Sequence, residues 1–166
     1  HVSDVLLRGS VVFASAAALT LGKFTVPVYE IYKVGVKPHW LVGLNILETH
    51  TGLKAAVIPH FDNAEGGNHD TRFCYLGERR LKELEQQLPD DVFVLGVDEH
   101  TGVSFDLDAQ SVAVFGRGLL TLRKGDLIKT FPAGSELTLD EVSQIVNVPR
   151  SVIQERAEVV GSLKDA

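Results

Sequence analysis

Three short apolar runs in this chain each lead into a residue with a reactive or ionisable side chain. The runs and the residues that follow them are residues 10–14 before Ser15, residues 55–59 before His60, and residues 92–97 before Asp98 and Glu99. Short apolar runs of this kind are typical of strands buried on both faces, as in parallel sheets covered by helices. The carboxyl ends of such strands collect at one edge of the sheet. We therefore expect these polar side chains to lie close together there.

Helices are expected between these strands. Residues 15–22 are small and apolar and resemble the start of a helix, and residues 72–88 carry a helical repeat of leucine that Pro89 ends. Residues 25–34 predict a strand or an extended loop, and residues 37–53 predict mostly connecting chain. Strands that alternate with helices predict an α/β fold, here a three-layer sandwich around a mostly parallel sheet.

Shorter strands are expected in the second half of the chain. The runs are residues 102–107, 111–115, 119–123 and 127–130. Their turn-separated spacing predicts a C-terminal β-meander, which would extend the edge of the main sheet or form a small second sheet. From residue 137 a helix is predicted, with Thr138 as N-cap and Glu141 completing a capping box.

Composition narrows the class of protein. The 166 residues are 45% hydrophobic and carry a net charge of −6, which predicts a globular core and argues against nucleic acid as a partner. No apolar run approaches the roughly 20 residues that a membrane-spanning helix needs. The single cysteine, Cys74, predicts a buried apolar side chain and a reducing, cytoplasmic location.

The residues at the strand ends suggest nucleophilic chemistry. A serine at a sharp turn from strand to helix is exposed at the sheet edge, and the next backbone N–H can face the oxyanion of an acyl intermediate. The hydroxyl of Ser15 needs a base such as His60 to remove its proton. A carboxylate must then orient the imidazole, and either Glu99 or Asp98 can fill that role, with Glu30 as a competing acid.

Three segments carry a resemblance to a known family. They are Phe-Ala-Ser-Ala-Ala-Ala at residues 13–18, Ile-Pro-His-Phe at residues 58–61, and Leu-Gly-Val-Asp-Glu-His-Thr at residues 95–101. In this order they resemble the nucleophile, histidine and acid segments of the peptidase E and cyanophycinase serine peptidases. The resemblance extends from about residue 10 to about residue 123.

The resemblance implies a fold related to class I glutamine amidotransferases and hydrolysis of peptide bonds beside acidic residues, without a metal or organic cofactor. It implies Ser15 as nucleophile, His60 as general base, Glu99 as its orienting acid, and the Ala16 N–H as an oxyanion donor. The second oxyanion donor of the family lies on an upstream turn that would precede His1, so we expect the N-terminal part of the fold to be missing.

The sequence also indicates a domain division and a substrate site. Residues 1–134 would form the C-terminal portion of the hydrolase domain, and residues 135–166 a helical tail suited to docking or homodimer formation. Arg72, Asn63 and Glu30 are predicted to bind a peptide or small amide substrate. Arg72 in particular can pair with a carboxylate through two parallel hydrogen bonds.

Two other interpretations remain open at this point. Phe13 and Ala17 replace glycines of the family's nucleophile segment, which favours a catalytically inactive relative that binds a ligand or partner. A metal-dependent hydrolase is the third possibility, because imidazole and carboxylate ligands suit several divalent ions. The loop residues that it would use are His60, Asp62, Glu65, His69 and Asp70.

Overall fold

The computed structural model describes residues 4–5, 9–149 and 151–153. The strands are β1 Phe24–Thr25, β2 Leu41–Val42, β3 Ala55–Pro59, β4 Phe93–Val97, β5 Thr101–Asp106, β6 Ser111–Gly116, β7 Leu119–Lys124, β8 Leu127–Pro132 and β9 Glu136–Thr138. The α-helices are α1 Ile46–Thr51, α2 Gly77–Glu85 and α3 Leu139–Val146. A 3₁₀ helix covers Ser15–Thr20, and a π-helical turn covers Glu30–Val34.

The central sheet is mixed, in the order β3-β4-β7-β8. Only the β3–β4 pair is parallel in this sheet, because α2 carries the chain back between these two strands. After β4 the chain returns to the sheet through tight turns without a helical crossover, so β7 and β8 run antiparallel. The fold is α/β as predicted, but the prediction of a mostly parallel sheet is wrong.

The later strands divide between two sheets. The β7–β8 hairpin extends the central sheet through the β4–β7 pairing, whereas β5, β6 and β9 form a separate antiparallel sheet. The predicted strands therefore exist, but they do not form one continuous meander. The difference follows from burial, since most of β7 is buried and suits a central position, while β5 alternates in exposure along much of its length.

Two apolar clusters cover the two faces of the central sheet. Side chains alternate along β3, so that Ala55 and Val57 face one cluster while Ala56 and Ile58 face the other. The first cluster includes residues of β6 and α3, and the second includes residues of α2 and the π-helical turn. Burial on both faces explains the continuous apolar sequence of β3, whose bounds match the predicted strand.

Several predicted elements differ from the structure. Residues 10–14 form no strand, and none of them is buried: Val12 is 89% exposed, so the prediction of a buried strand there is wrong. Residues 25–34 include the helical turn Glu30–Val34 instead of being extended throughout. Residues 37–53 contain β2 and α1 in addition to connecting chain.

The predicted helix over residues 72–88 is shorter, because α2 begins only at Gly77. Phe73, Cys74 and Tyr75 precede it with left-handed φ values of 59°, 53° and 66°, which a right-handed helix cannot contain. Phe73 and Leu76 are both buried, but Phe73 lies in the left-handed turn and Leu76, with φ −71°, is the residue that precedes α2.

The start of the C-terminal tail packs on the same core. The predicted capping box of α3 is confirmed, with the Thr138 hydroxyl accepting from the Glu141 N–H and the Glu141 carboxylate accepting from the Thr138 N–H. Val142 and Val146 lie in the first apolar cluster. Most of the rest of the predicted helical tail lies outside the described residues. No helix in the described ranges is long and apolar enough to cross a membrane.

Candidate active site

Ser15 lies where an extended segment turns sharply into the 3₁₀ helix. Ala14 is extended, with φ −120° and ψ 144°, whereas Ser15 has a left-handed φ of 50°. A non-glycine residue in this region carries backbone strain, which proteins retain mainly at functional sites. Two residues after this helix ends at Thr20, the chain passes close to β3 at Gly22, where an added Cβ would lie 2.1 Å from the Ala55 carbonyl oxygen. Glycine therefore permits the close approach that fixes the helix against β3.

His60 directly follows β3, and backbone hydrogen bonds fix its position. Its φ is 51°, so the chain turns sharply as the strand ends. The next residue, Phe61, donates its N–H to the Val97 carbonyl at 3.1 Å, which ties the loop to the end of β4. The Cys74 N–H donates to the His60 carbonyl at 3.0 Å. The left-handed turn before α2 thus supports the backbone that carries the imidazole.

Glu99 completes a hydrogen-bonded line with Ser15 and His60. The Ser15 Oγ lies 2.9 Å from the His60 Nε2, and the His60 Nδ1 lies 3.0 Å from the Glu99 Oε1. With the proton on Nδ1, the imidazole donates to the carboxylate and its Nε2 accepts from the serine hydroxyl. The parallel register of β3 and β4, which pairs Pro59 with Val97, brings the two strand ends together. This hydroxyl–imidazole–carboxylate order is that of serine hydrolases.

The neighbouring acid, Asp98, has a different partner. Its carboxylate accepts the Leu119 N–H at 2.9 Å and so connects the end of β4 to the start of β7. Burial raises the pKa of Asp98 above its usual value. Of the acids that the sequence leaves open, Glu99 is the one in hydrogen-bond contact with the imidazole.

Ala16 and Cys74 complete the immediate surroundings. Ala16 is the second residue of the 3₁₀ helix, where a backbone N–H has no intrahelical acceptor and can face a ligand. Cys74 is buried, and desolvation, with a smaller effect of the Glu99 carboxylate, raises the pKa of its thiol to about 11. The cysteine therefore stays protonated at neutral pH and is no rival nucleophile.

Asn63, predicted to bind substrate, lies beneath the site. It is 2% exposed, and its Nδ2 donates to the Glu99 Oε1 at 3.3 Å. Its neighbour Asp62 accepts the Glu99 N–H at 2.7 Å. The loop after His60 therefore contacts both the backbone N–H and the carboxylate of Glu99. A polar loop sequence gives no signal that one of its amides is buried.

Arg72, also predicted to bind substrate, already pairs with a carboxylate. Its Nε and one terminal nitrogen donate to the two oxygens of Asp70, each at 2.9 Å. This pair, together with the Glu78 N–H that Asp70 accepts at the start of α2, holds the pKa of Asp70 well below its usual value. A substrate carboxylate would have to compete with Asp70 for the guanidinium.

Glu30, the third predicted substrate residue, is exposed at the first position of the π-helical turn. That turn approaches the site through Tyr32, whose ring centroid lies 5.1 Å from that of Tyr75. The Tyr75 hydroxyl donates to Glu65, and this bond raises the pKa of the tyrosine. The segment of Glu30 and Tyr32 was expected at this cleft because it follows the first predicted helix, whereas nothing in the sequence indicates Tyr75, which lies within the predicted helix over residues 72–88.

The suggested metal ligands do not converge. His60 contacts Ser15 and Glu99, while Asp62, Glu65 and Asp70 each accept hydrogen bonds from other groups. In the part of the chain that the structure describes, no group of three or more His, Cys, Asp or Glu side chains is placed to hold a metal ion. The carboxylates of this loop instead organise its own backbone and side chains.

Comparison with solved structures finds a peptidase from an acI-B1 actinobacterium. The match has a TM-score of 0.50 and 23% sequence identity, and it covers 75% of this chain and 43% of that one. This chain thus spans less than half the length of that peptidase. At this identity the match establishes a shared fold. No protein-family model matches the chain, and no curated protein matches it.

Proposed function

We propose that this chain is a serine-type peptidase or amidohydrolase that works through an acyl-enzyme. The observation that carries the proposal is the continuous line of hydrogen bonds from Ser15 through His60 to Glu99, at 2.9 and 3.0 Å. The left-handed φ of Ser15 and the peptidase fold of the structural neighbour support it.

The proposed mechanism has the following steps. As Ser15 Oγ attacks the carbonyl carbon of the substrate, His60 Nε2 takes the hydroxyl proton, and Glu99 stabilises the resulting imidazolium. The Ala16 N–H donates to the oxyanion of the tetrahedral intermediate. His60 then protonates the leaving amine, and a water molecule, deprotonated by the same imidazole, hydrolyses the acyl-enzyme.

The resemblance to peptidase E and cyanophycinase suggests a finer assignment, a peptide or small amide with an acidic residue beside the cleaved bond. Arg72 is the cation that could bind such an acidic residue. Its two hydrogen bonds to Asp70 would have to break first. We therefore propose that an acidic substrate displaces Asp70 from Arg72.

A catalytically inactive binding protein is the second candidate, because Phe13 and Ala17 replace the family's glycines. In this structure Phe13 packs against the first apolar cluster, and Ser15 still adopts the strained turn. Packing of Phe13 is thus compatible with a nucleophile turn, which favours the enzyme over this alternative.

Turnover tests the proposal. The full chain is incubated with a mixture of synthetic peptides that contains acidic residues at every position, and new termini are identified by mass spectrometry. We expect cleavage by the wild-type chain and none by Ser15→Ala, with equal melting temperatures as evidence of folding. An intact peptide mixture after incubation with folded wild-type protein would favour the binding protein.

A further inference from the structure

We propose that Asn63 is a positioning residue that keeps the Glu99 carboxylate in line with His60. The inference rests on the triad of the proposed function, and its test is chosen so that the two can fail separately. In this role Asn63 orients Glu99 and does not contact the substrate.

The amide of Asn63, which also interacts with the Tyr75 hydroxyl, contacts one of the two carboxylate oxygens of Glu99. Asn63 Nδ2 donates to the Glu99 Oε1, and the same oxygen faces the His60 Nδ1. The Glu99 side chain has several rotatable bonds and is 31% exposed, so solvent alone does not fix its direction. A buried amide donor at 3.3 Å restricts that rotation and keeps Oε1 toward the imidazole.

The amide of Asn63 is itself held in place. Its Oδ1 accepts the Glu65 N–H at 3.1 Å, which directs the Nδ2 group toward Glu99. The backbone carbonyl of Asn63 accepts from the Thr71 hydroxyl at 3.4 Å. Both sides of the amide therefore have a partner, and the donor cannot turn away without leaving a buried polar group unpaired.

The base and the anchors of the acid share one short segment. His60 supplies the imidazole, Asp62 accepts the Glu99 N–H, and Asn63 contacts the carboxylate. Because these residues are neighbours in sequence, a displacement of the loop moves the base and the acid together. This arrangement preserves the distance between them, on which proton transfer depends.

The two sides of the amide permit a test that separates positioning from loop structure. Asn63→Asp keeps the oxygen that accepts the Glu65 N–H but loses the donor and places a negative charge beside Glu99. Asn63→Ala removes both contacts. Asn68→Ala, an exposed asparagine in the same loop, is the matched control.

The first readout needs no catalysis. The exchange of the His60 Nδ1–H with water is followed by its downfield proton NMR signal in the full chain. We expect exchange roughly two- to tenfold faster in Asn63→Asp and Asn63→Ala, the factor that corresponds to one lost hydrogen bond, and no change in Asn68→Ala. An exchange rate in Asn63→Asp equal to that of the wild type would overturn the proposal. This variant keeps the contact with the Glu65 N–H, so such a result would show that Asn63 only supports the loop.

The second readout is the rate at which a fluorophosphonate labels Ser15. Asn63→Ala should slow labelling in the wild-type background and have no further effect in a Glu99→Ala background, as expected for residues acting through one contact. Equal effects in both backgrounds would overturn the proposal. The wild-type protein could fail to be labelled while the exchange of its His60 Nδ1–H still depends on Asn63. That result would refute the hydrolase and support the positioning role.

Discussion

Gly96 is the position where the account can be tested by adding a single methyl group. An added Cβ would lie 2.4 to 2.6 Å from three carbons of the Phe61 ring, whereas carbon atoms pack at about 3.5–4.0 Å, so the ring must move by about 1 Å. The strand cannot move instead, since Gly96 pairs with Ile58 on one side and Thr121 on the other.

The displaced ring would carry His60 with it, because Phe61 is the next residue. We expect Gly96→Ala to lower the free energy of unfolding by about 1–3 kcal/mol, the usual cost of overpacking. Misplacement by about 1 Å can cost as much as about 100-fold in rate, so fluorophosphonate labelling of Ser15 should slow to that extent. Urea denaturation followed by circular dichroism measures the first effect, and timed mass spectrometry measures the second.

Gly9→Ala is the matched control, because an added Cβ there meets nothing within 4 Å. The smaller side chain in Phe61→Leu should recover part of the lost stability in the Gly96→Ala background. A Gly96→Ala protein with wild-type stability and labelling rate would refute the packing argument.

Three further predictions concern stability and reactivity. Arg123→Ala should lower the free energy of unfolding by about 3–5 kcal/mol in urea denaturation, because it removes one partner of the buried Arg123–Glu85 ion pair. The Asp70 pKa is lower in the folded state than in the unfolded state, so its pairing with Arg72 stabilises the fold fully above about pH 4 and is lost as the pH falls further. Between about pH 5 and about pH 3, where the aspartate of the unfolded chain titrates, the urea midpoint of Asp70→Asn should therefore change less with pH than that of the wild type. Because its pKa is about 11, Cys74 should react with iodoacetamide at about pH 8 roughly 100-fold or more slowly in native than in unfolded protein.

Each of these predictions has a contrary outcome. Arg79→Ala removes an exposed pair with Glu83 and should cost less than about 1 kcal/mol, so an equal loss in Arg79→Ala and Arg123→Ala would contradict the argument from burial. An unchanged pH dependence in Asp70→Asn would show that other groups cause the acid destabilisation. Rapid alkylation of native Cys74 would contradict its burial.

The sequence predicted best those elements whose burial is continuous along the chain. β3 and β4 fill both apolar clusters, so their uninterrupted apolar runs predicted strands and placed His60 and Glu99 at the ends of neighbouring strands. The capping box of α3 depends only on local residues and was also predicted. The direction of β7 depends on how the chain returns after β4, which no local pattern encodes.

The finer geometry of the site depends on contacts between distant segments. The left-handed turn at residues 73–75 is stabilised partly by N–H groups that reach the carbonyls of His60 and Phe61, and the helical spacing of its apolar residues conceals it. The partner of His60 was open between Asp98 and Glu99, since neighbouring side chains point in different directions. The burial of Asn63 has no local sign in a loop of polar residues.

The central claim is that Ser15 is an activated nucleophile, and covalent labelling tests it most directly. The full chain is treated with a fluorophosphonate, and the modified residue is mapped by tandem mass spectrometry, beside Ser15→Ala and His60→Ala. The account predicts a single adduct on Ser15 that is absent from Ser15→Ala and strongly reduced in His60→Ala. No adduct on folded wild-type protein, or an adduct that persists in Ser15→Ala, would contradict it.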